Sequence, residues 1–467
     1  MSGATLFDKV WADHVVRDFG GGEFLLHVDR HWLNDAGYNA IADLEARGAR
    51  VRDPDLSFAV IDHLVETRPG RTYASATPHA ELWATGTRDG CARHGIRFID
   101  IDDPRHGISH VISPELGLTL PGTVIVCTDS HTCTNGALGA YAVGVGSSGA
   151  THVLATQTLI QRRPRTMRVT FRGVPRAGVT AKDVGLRMIG DHGATGGLGY
   201  AVELAGTAIE RMSMESRMTI CNLGAEFGAA TTMVAPDETT LAYLEGREFA
   251  PSGAAWEQAV DHWRTLRSDD DAAFDRELVV DCDGLEPQVT WGTSPEQVTA
   301  VGGVVPDPAD AGDDVRRRTW ERALTHMGLE PGRRLEGLAI DAAFIGSCTN
   351  ARLDDLREAA AVVRGRKVAE HVSARCVPGS GAVKRAAEAE GLDRDFTRAG
   401  FSWEEAGCSM CMTAVADGPG AGARVMSSSN RSSEGRQGPG VRTHLASPAT
   451  VAASAVAGRI ADVRRLV

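Results

Sequence analysis

The sequence predicts an α/β protein with helices packed on parallel sheets, and three observations predict it. In the C-terminal third, strand, helix, strand and helix follow one another with short turns between, the order that builds a parallel sheet. Two apolar runs, at 122–132 and 339–347, stop abruptly in polar residues, and the carboxyl ends of strands are where α/β sheets bind ligands. At 467 residues the chain exceeds what one hydrophobic core supports, so two or three domains are expected.

Each element has its own signal. "GTVIVCTDSHT" (122–132) is a buried strand ending in Asp-Ser-His, and "ATHVLATQTLIQ" (150–161) is helix-like. Irregular stretches at 162–169 and 281–297 mark boundaries. "AIDAAFIGS" (339–347) is a short apolar strand running into Ser-Cys-Thr-Asn. "LDDLREAAAVVRG" (353–365) is a helix, acidic early and basic late, as the helix dipole favours. "SARCVPGSG" (373–381) is a strand and turn, and "AVKRAAEAEG" (382–391) a helix closed by glycine. The Gly/Ser-rich stretch 417–442 has linker composition. An apolar segment (446–463) follows it, so a loop folded over a site is expected instead. No internal repeat of about 20–50 residues is present.

Composition, with 42% hydrophobic and 24% charged residues, is that of a soluble globular protein. A net charge of -12 argues against a general nucleic-acid or anionic-membrane partner. No apolar run approaches the roughly 18 residues of a membrane span. The start "MSGATLFDKVWADHVV" lacks a signal-peptide pattern, so a cytoplasmic location is expected. The nine scattered cysteines do not read as a disulfide framework. "GVGSSG" (144–149) matches a dinucleotide fingerprint, but no acidic residue stands between Gly149 and Asp183 to hold a ribose. Close backbone packing at a helix start explains these glycines more simply.

The polar groups able to do chemistry are Asp62-His63, His110, Asp129-Ser130-His131, Asn222 with Glu226, Ser347-Cys348-Thr349-Asn350, Cys408 with Cys411, and Asn430-Arg431 with Arg436. Each has a plain alternative. Buried Asp-His pairs are more often structural than catalytic, Asn222 and Glu226 have the spacing of a helix-face hydrogen bond, and loop arginines are often solvated. Cys408 and Cys411 form the sole C-x-x-C pair. Structural zinc needs four closed ligands, and a thioredoxin pair belongs near the start of a βαβ unit. An iron–sulfur cluster normally takes four thiolates. With Cys348 added only three are supplied, which leaves one iron open to act as a Lewis acid.

The motifs "DRH", "GLTLPGTVIVCTDSHT", "HVLATQT", "SMESRMTICNLGAEFGA", "VAPDETT", "VTWGTSPEQV", "IGSCTNARLDDLR", "GCSMCM", "SNRSSEGR" and "GVRTHLASP" occur in one order over nearly the whole chain. Together they resemble the aconitase superfamily, most closely the large subunits of isopropylmalate isomerases (3-isopropylmalate dehydratases). The resemblance implies three aconitase-type α/β domains, roughly 1–165, 166–285 and 286–467, around a central iron–sulfur site and without the swivel domain. It implies that Cys348, Cys408 and Cys411 hold a [4Fe-4S] cluster with one iron not ligated by cysteine. The implied reaction removes water from a hydroxy acid and returns it in the other orientation, through a cis-alkene. His63, held by Asp62, matches the proton donor to the departing hydroxyl. His110, Asp129 and His131 match groups around the cluster-bound water, and Asn222 and Glu226 match polar residues of the same cavity. Asn430, Arg431 and Arg436 match residues that clamp substrate carboxylates, a task suited to guanidinium forks. The chain stops at Val467, so a separate small subunit is expected to bring the swivel domain with its base serine.

The chain departs from that family at Asn34-Asp35 (usually His-Glu), Leu64 (usually Asn), Gly149 and Thr151 (usually acidic), and Ser432-Ser433 (usually Asn-Phe). Two substrate assignments follow: 3-isopropylmalate in leucine biosynthesis, or another 2-substituted malate handled by a paralogue in a specialised pathway. An electron-transfer or iron-sensing protein would not need the acid-base set, and a regulatory RNA-binder would not be this acidic.

Overall fold

Strands inside a parallel sheet are covered on both faces and read as unbroken apolar runs. Val124–Cys127 is such a run, buried at every position. In the computed structural model, which describes residues 3–73, 78–412 and 418–466, this strand belongs to a five-stranded parallel sheet. The chain divides into two units: Met1–Val65 with Thr72–Gly173 and Thr195–Asp281, and Glu66–Arg71 with Val174–Ala194 and Cys282–Val467.

In the first unit the sheet runs Arg97–Ile99, Ser57–Val60, Arg30–Leu33, Val124–Cys127, Tyr141–Gly144, every neighbouring pair parallel. Trp32, Phe58 and Ile125 pack on one face, and Leu33, Ile41, Ala59 and Leu154 on the other. From Arg30–Leu33 the chain builds outward to one edge, then returns to Val124–Cys127 and builds to the other. The topological switch point, where open α/β sheets bind ligands, therefore lies between these two strands. Asp35, Asp62 and Asp129 follow the carboxyl ends of three adjacent strands there. The same unit contains a four-stranded parallel sheet (Thr231–Met233, Tyr200–Ala205, Arg165–Arg172, Arg276–Asp281). A small antiparallel sheet joins Val15–Gly20, Glu23–His27 and Thr158–Arg162.

The last of these strands corrects the helix expected over 150–161. The helix stops at Thr156, Gln157 takes φ 57°, and Thr158–Arg162 pairs with Glu23–His27. The β-branched Thr158 and Ile160 suit a pleated surface, and cross-strand pairing overrides the helical continuation.

The second unit repeats the first sheet's order: Phe401–Trp403, Ser373–Cys376, Ala342–Ile345, Arg424–Ser427, Arg442–Leu445, all parallel. Its switch point lies between Ala342–Ile345 and Arg424–Ser427, so Ser347-Cys348 and Ser428–Arg431 follow neighbouring carboxyl ends. The expected helices are Leu353–Val363 and Gly381–Glu390. The apolar segment after the Gly/Ser-rich stretch forms the buried helix Pro448–Ala457, whose N-cap Ser447 accepts from the Thr450 amide. Asp417, the first residue of the Gly/Ser-rich stretch, lies outside the described residues. From 424 onward that stretch is a core strand and a partly buried loop rather than a linker. Among the described residues no helix is long and apolar enough to cross a membrane.

Two histidines are buried in neutral form. Burial holds His31 at a pKa of about 3, and neither ring nitrogen meets a partner among the described residues. Burial and the charge of Arg424 hold His444 at about 3 as well, against the Thr290 carbonyl that its Nδ1 reaches at 2.6 Å. Both rings take up a proton on unfolding below their ordinary value of 6.5, so stability is lost as pH falls through that window. Each unit of pH costs about 1.4 kcal/mol per ring. Unfolding free energy at pH 4.5 should therefore be roughly 5 kcal/mol lower than at neutrality from these two groups. Urea titrations at both pH values check this, and His444→Gln should remove about half of the difference.

Candidate active site

In the first unit the strand ends deliver a connected acid-base network. His63 follows Ser57–Val60 by three residues, and its Nδ1–H donates to Asp62 Oδ1 at 2.6 Å. A carboxylate only accepts, so this contact puts one ring proton on Nδ1. Asp62 is fully buried, and its other oxygen accepts the Ser109 amide at 2.9 Å. Asp35 adds a second carboxylate: Oδ2 lies 3.3 Å from His63 Nδ1, and its two oxygens accept the His63 and Leu64 amides at 3.1 and 2.9 Å.

His63 Nε2 faces Asp129 Oδ2 at 3.5 Å. Asp129 in turn gathers His110 Nε2 at 3.1 Å and the His131 ring at 3.4 Å, and it caps the next turn by accepting the His131 amide at 2.7 Å. His131 Nε2 reaches Glu226 Oε1 at 2.9 Å. Burial would raise the Asp129 pKa, but the bonds from His110 and His131 and the charges of His110 and His63 outweigh it. They hold this carboxyl well below the usual range. Gly144 makes room for this arrangement, because a Cβ there would stand 2.4 Å from the Asp129 carbonyl oxygen. Close packing thus accounts for the first glycine of "GVGSSG".

In the second unit Cys348, Cys408 and Cys411 are buried cysteines outside any disulfide. Both cysteine turns hold a non-glycine residue at positive φ, Ser347 at 80° and Ser409 at 49°. Such conformations cost about 1–3 kcal/mol and persist where the surroundings impose them, commonly at functional sites. Cys408 and Cys411 Sγ lie 2.9 Å apart. Cys348 Sγ accepts from Asn430 Nδ2 at 3.3 Å, and Cys411 Sγ from Arg436 Nη2 at 3.8 Å. One loop therefore touches both cysteine turns. Phe344, Val377 and Met410 pack together beneath them. A soft, buried, three-thiol set with N–H donors at sulfur suits an iron–sulfur cluster.

The loop carrying Asn430, Arg431 and Arg436 is fixed from below. Ser428 Oγ accepts the Gly346 amide at 3.0 Å, which joins the ends of the two central strands. Fully buried Lys182 donates to the carbonyls of Ser428 and Ser429 at 3.1 and 2.6 Å.

Of the residues singled out in the sequence, Asp62, His63, His110, Asp129, His131 and Glu226 thus form one network in the first unit. The three cysteines, Asn430, Arg431 and Arg436 share the loops at one sheet end of the second. Asn222 and Glu226 are not a helix-face pair. The helix ends at Leu223, Asn222 donates to Thr134 Oγ1 at 2.9 Å, and Glu226 turns to His131. Asp35 and Lys182 carry site contacts that the sequence reading missed. An acidic residue just past a strand was the signal available for Asp35, and none pointed to Lys182.

The fold and these two polar centres define the class, and the chain belongs to the aconitase family (aconitate hydratase), which residues 8–458 match. It is 56% identical over 465 residues to 3-isopropylmalate dehydratase large subunit 1 of Bradyrhizobium diazoefficiens, covering 99% of this chain and 97% of that protein. A solved structure, Thermococcus kodakaraensis aconitase X in its holo-form, aligns over 87% of this chain and 84% of its own, with a TM-score of 0.46 and 15% identity. Family membership implies a [4Fe-4S] cluster.

Proposed function

We propose that the protein is the large, cluster-bearing subunit of a 3-isopropylmalate dehydratase, a hydro-lyase that interconverts 2- and 3-isopropylmalate through a cis-alkene. One observation carries this reading: 56% identity to a large subunit of that enzyme, spanning both polar centres. Cys348, Cys408 and Cys411 hold the cluster, whose fourth iron is not bound by cysteine. When bound, the cluster supplies a Lewis acid for the substrate hydroxyl.

The chain's own residues supply binding and proton transfer. Asp62 and Asp35 face the Nδ1–H of His63 and keep that proton in place, so the proton given to the leaving hydroxyl is the one on Nε2. Asp129, ionised and ringed by His63, His110 and His131, orients those rings. Glu226 fixes the far side of His131. Arg431 and Arg436, with Asn430, bind substrate carboxylates, and Asn222 holds the 130–138 turn through Thr134. The base and further carboxylate contacts come from a separate small subunit. Three domains, 1–165, 166–285 and 286–467, form the large subunit, a division supported by a parallel sheet of its own in each.

Ser432 favours a second substrate. Its hydroxyl is buried without a hydrogen-bond partner among the described residues, in the loop that carries Arg431 and Arg436. Such a group suits a substrate with a polar 2-substituent, handled by a paralogue in a specialised pathway. Anaerobic reconstitution with the small subunit, assayed on a panel of 2-alkyl, 2-aryl, 2-hydroxyalkyl and unsubstituted malates, decides. Activity confined to isopropylmalate supports the first reading, preference for another malate supports the second, and no turnover of any malate contradicts both.

A further inference from the structure

We infer that Gln437, which lies outside the residues assigned above, is a positioning residue for the cluster. Its carboxamide pins the Cys408–Cys411 turn to the ends of two core strands. The side chain is 1% exposed and its amide group is used from both ends. Nε2 donates to the Met410 carbonyl at 3.0 Å and to Ser427 Oγ at 3.0 Å, while Oε1 accepts from Thr443 Oγ1 at 3.0 Å. Met410 stands between the two thiols, Ser427 ends the Arg424–Ser427 strand, and Thr443 lies in the neighbouring Arg442–Leu445 strand.

Two further features make this contact more than packing. Ser409, just before Met410, holds φ 49°, a conformation that relaxes unless its surroundings restrain it. The bond to the Met410 carbonyl fixes the peptide that follows, so it restrains the turn where the spacing of the two thiols is set. Gln437 also closes the loop that begins at Ser427, and this loop presents Asn430 to Cys348 and Arg436 to Cys411. One carboxamide thus fixes both the cysteine turn and the N–H donors that face sulfur. Loss of its donors leaves the buried Met410 carbonyl without a partner among the described residues, a desolvation cost that falls on the turn.

The assignment rests on the three-thiolate cluster proposed above, so the test separates the two. Gln437→Glu keeps the shape but replaces the donating amine by an oxygen, and Gln437→Met keeps length without polarity. Each full-length chain, and the parent, is reconstituted anaerobically with iron and sulfide. Iron per chain, the rate of cluster bleaching under a chelator, and the melting midpoint of the cluster-free chain are then measured. Both variants should bleach about tenfold faster than the parent while their cluster-free midpoints stay within a few degrees of it. Thr443→Val, which frees one end of the amide, should give a smaller acceleration. Bleaching within twofold of the parent in both variants would overturn the role of Gln437 and leave the ligand assignment standing. A fall in the cluster-free midpoint matching the faster bleaching would also overturn it, as general destabilisation. A parent chain that takes up no cluster would sink both.

Discussion

Cys408→Ser should yield a folded chain whose dehydration activity, measured anaerobically with the small subunit, lies at least about a thousandfold below the parent. A Lewis-acidic iron supplies several kcal/mol of charge stabilisation to a departing hydroxyl, and no side chain in either polar centre replaces it. Serine keeps the volume but substitutes a hard, weakly acidic hydroxyl for a thiolate, the wrong ligand for iron and sulfide. The loss should extend to Cys348→Ser and Cys411→Ser, because a set of three has no spare member. Cys376→Ser is the control. Cys376 is fully buried in a strand, with burial raising its thiol well above the ordinary range, so its replacement should leave iron content unchanged. Iron and inorganic sulfide per chain, read beside turnover, distinguish cluster loss from misfolding.

His63→Ala should lower kcat by about 10²–10⁴-fold with full iron content, the range that general acid catalysis contributes. The geometry separates its two supporting carboxylates. Asp62→Asn leaves a single side-chain oxygen for two buried donors, the His63 Nδ1–H at 2.6 Å and the Ser109 amide, so one of these contacts is lost and the effect on kcat should approach that of His63→Ala. Asp35→Asn loses a longer 3.3 Å contact and keeps one side-chain oxygen for the backbone amides, so a loss near tenfold is expected. KM should move little in all three, because the groups assigned to carboxylate binding sit on a different loop. Equal losses for Asp35→Asn and Asp62→Asn would contradict this order.

Much of the site was legible because its chemistry is local in sequence. Asp62 beside His63, Asp129 two residues before His131, and Cys408 three before Cys411 each declare themselves as pairs, and the structure keeps each pair in contact. The strands that deliver Asp129 and Cys348 were legible as apolar runs cut off by polar residues, whereas the short strands before His63 and Cys408 were not singled out. What was hidden depends on tertiary contact. Glu226 shares a helical spacing with Asn222, but the helix ends at Leu223, so Glu226 meets a histidine 95 positions away instead. Lys182 reads as an ordinary surface lysine in an amphipathic helix, and only the fold shows that two carbonyls near residue 430 solvate it. Gln437 reads as one more polar residue of a Gly/Ser-rich loop, since its partners at 410, 427 and 443 converge only in three dimensions. The helix expected over 150–161 failed for the same reason, because its second half is claimed by a strand partner at 23–27.

The most direct test of the central claim is a Mössbauer spectrum of the chain reconstituted with isotopically enriched iron, recorded before and after a 2-substituted malate is added. If three cysteines hold the cube, one iron in four should change its signal when the hydroxy acid binds while the other three stay put. A spectrum that shows no cluster, or four irons indifferent to the acid, would contradict the account.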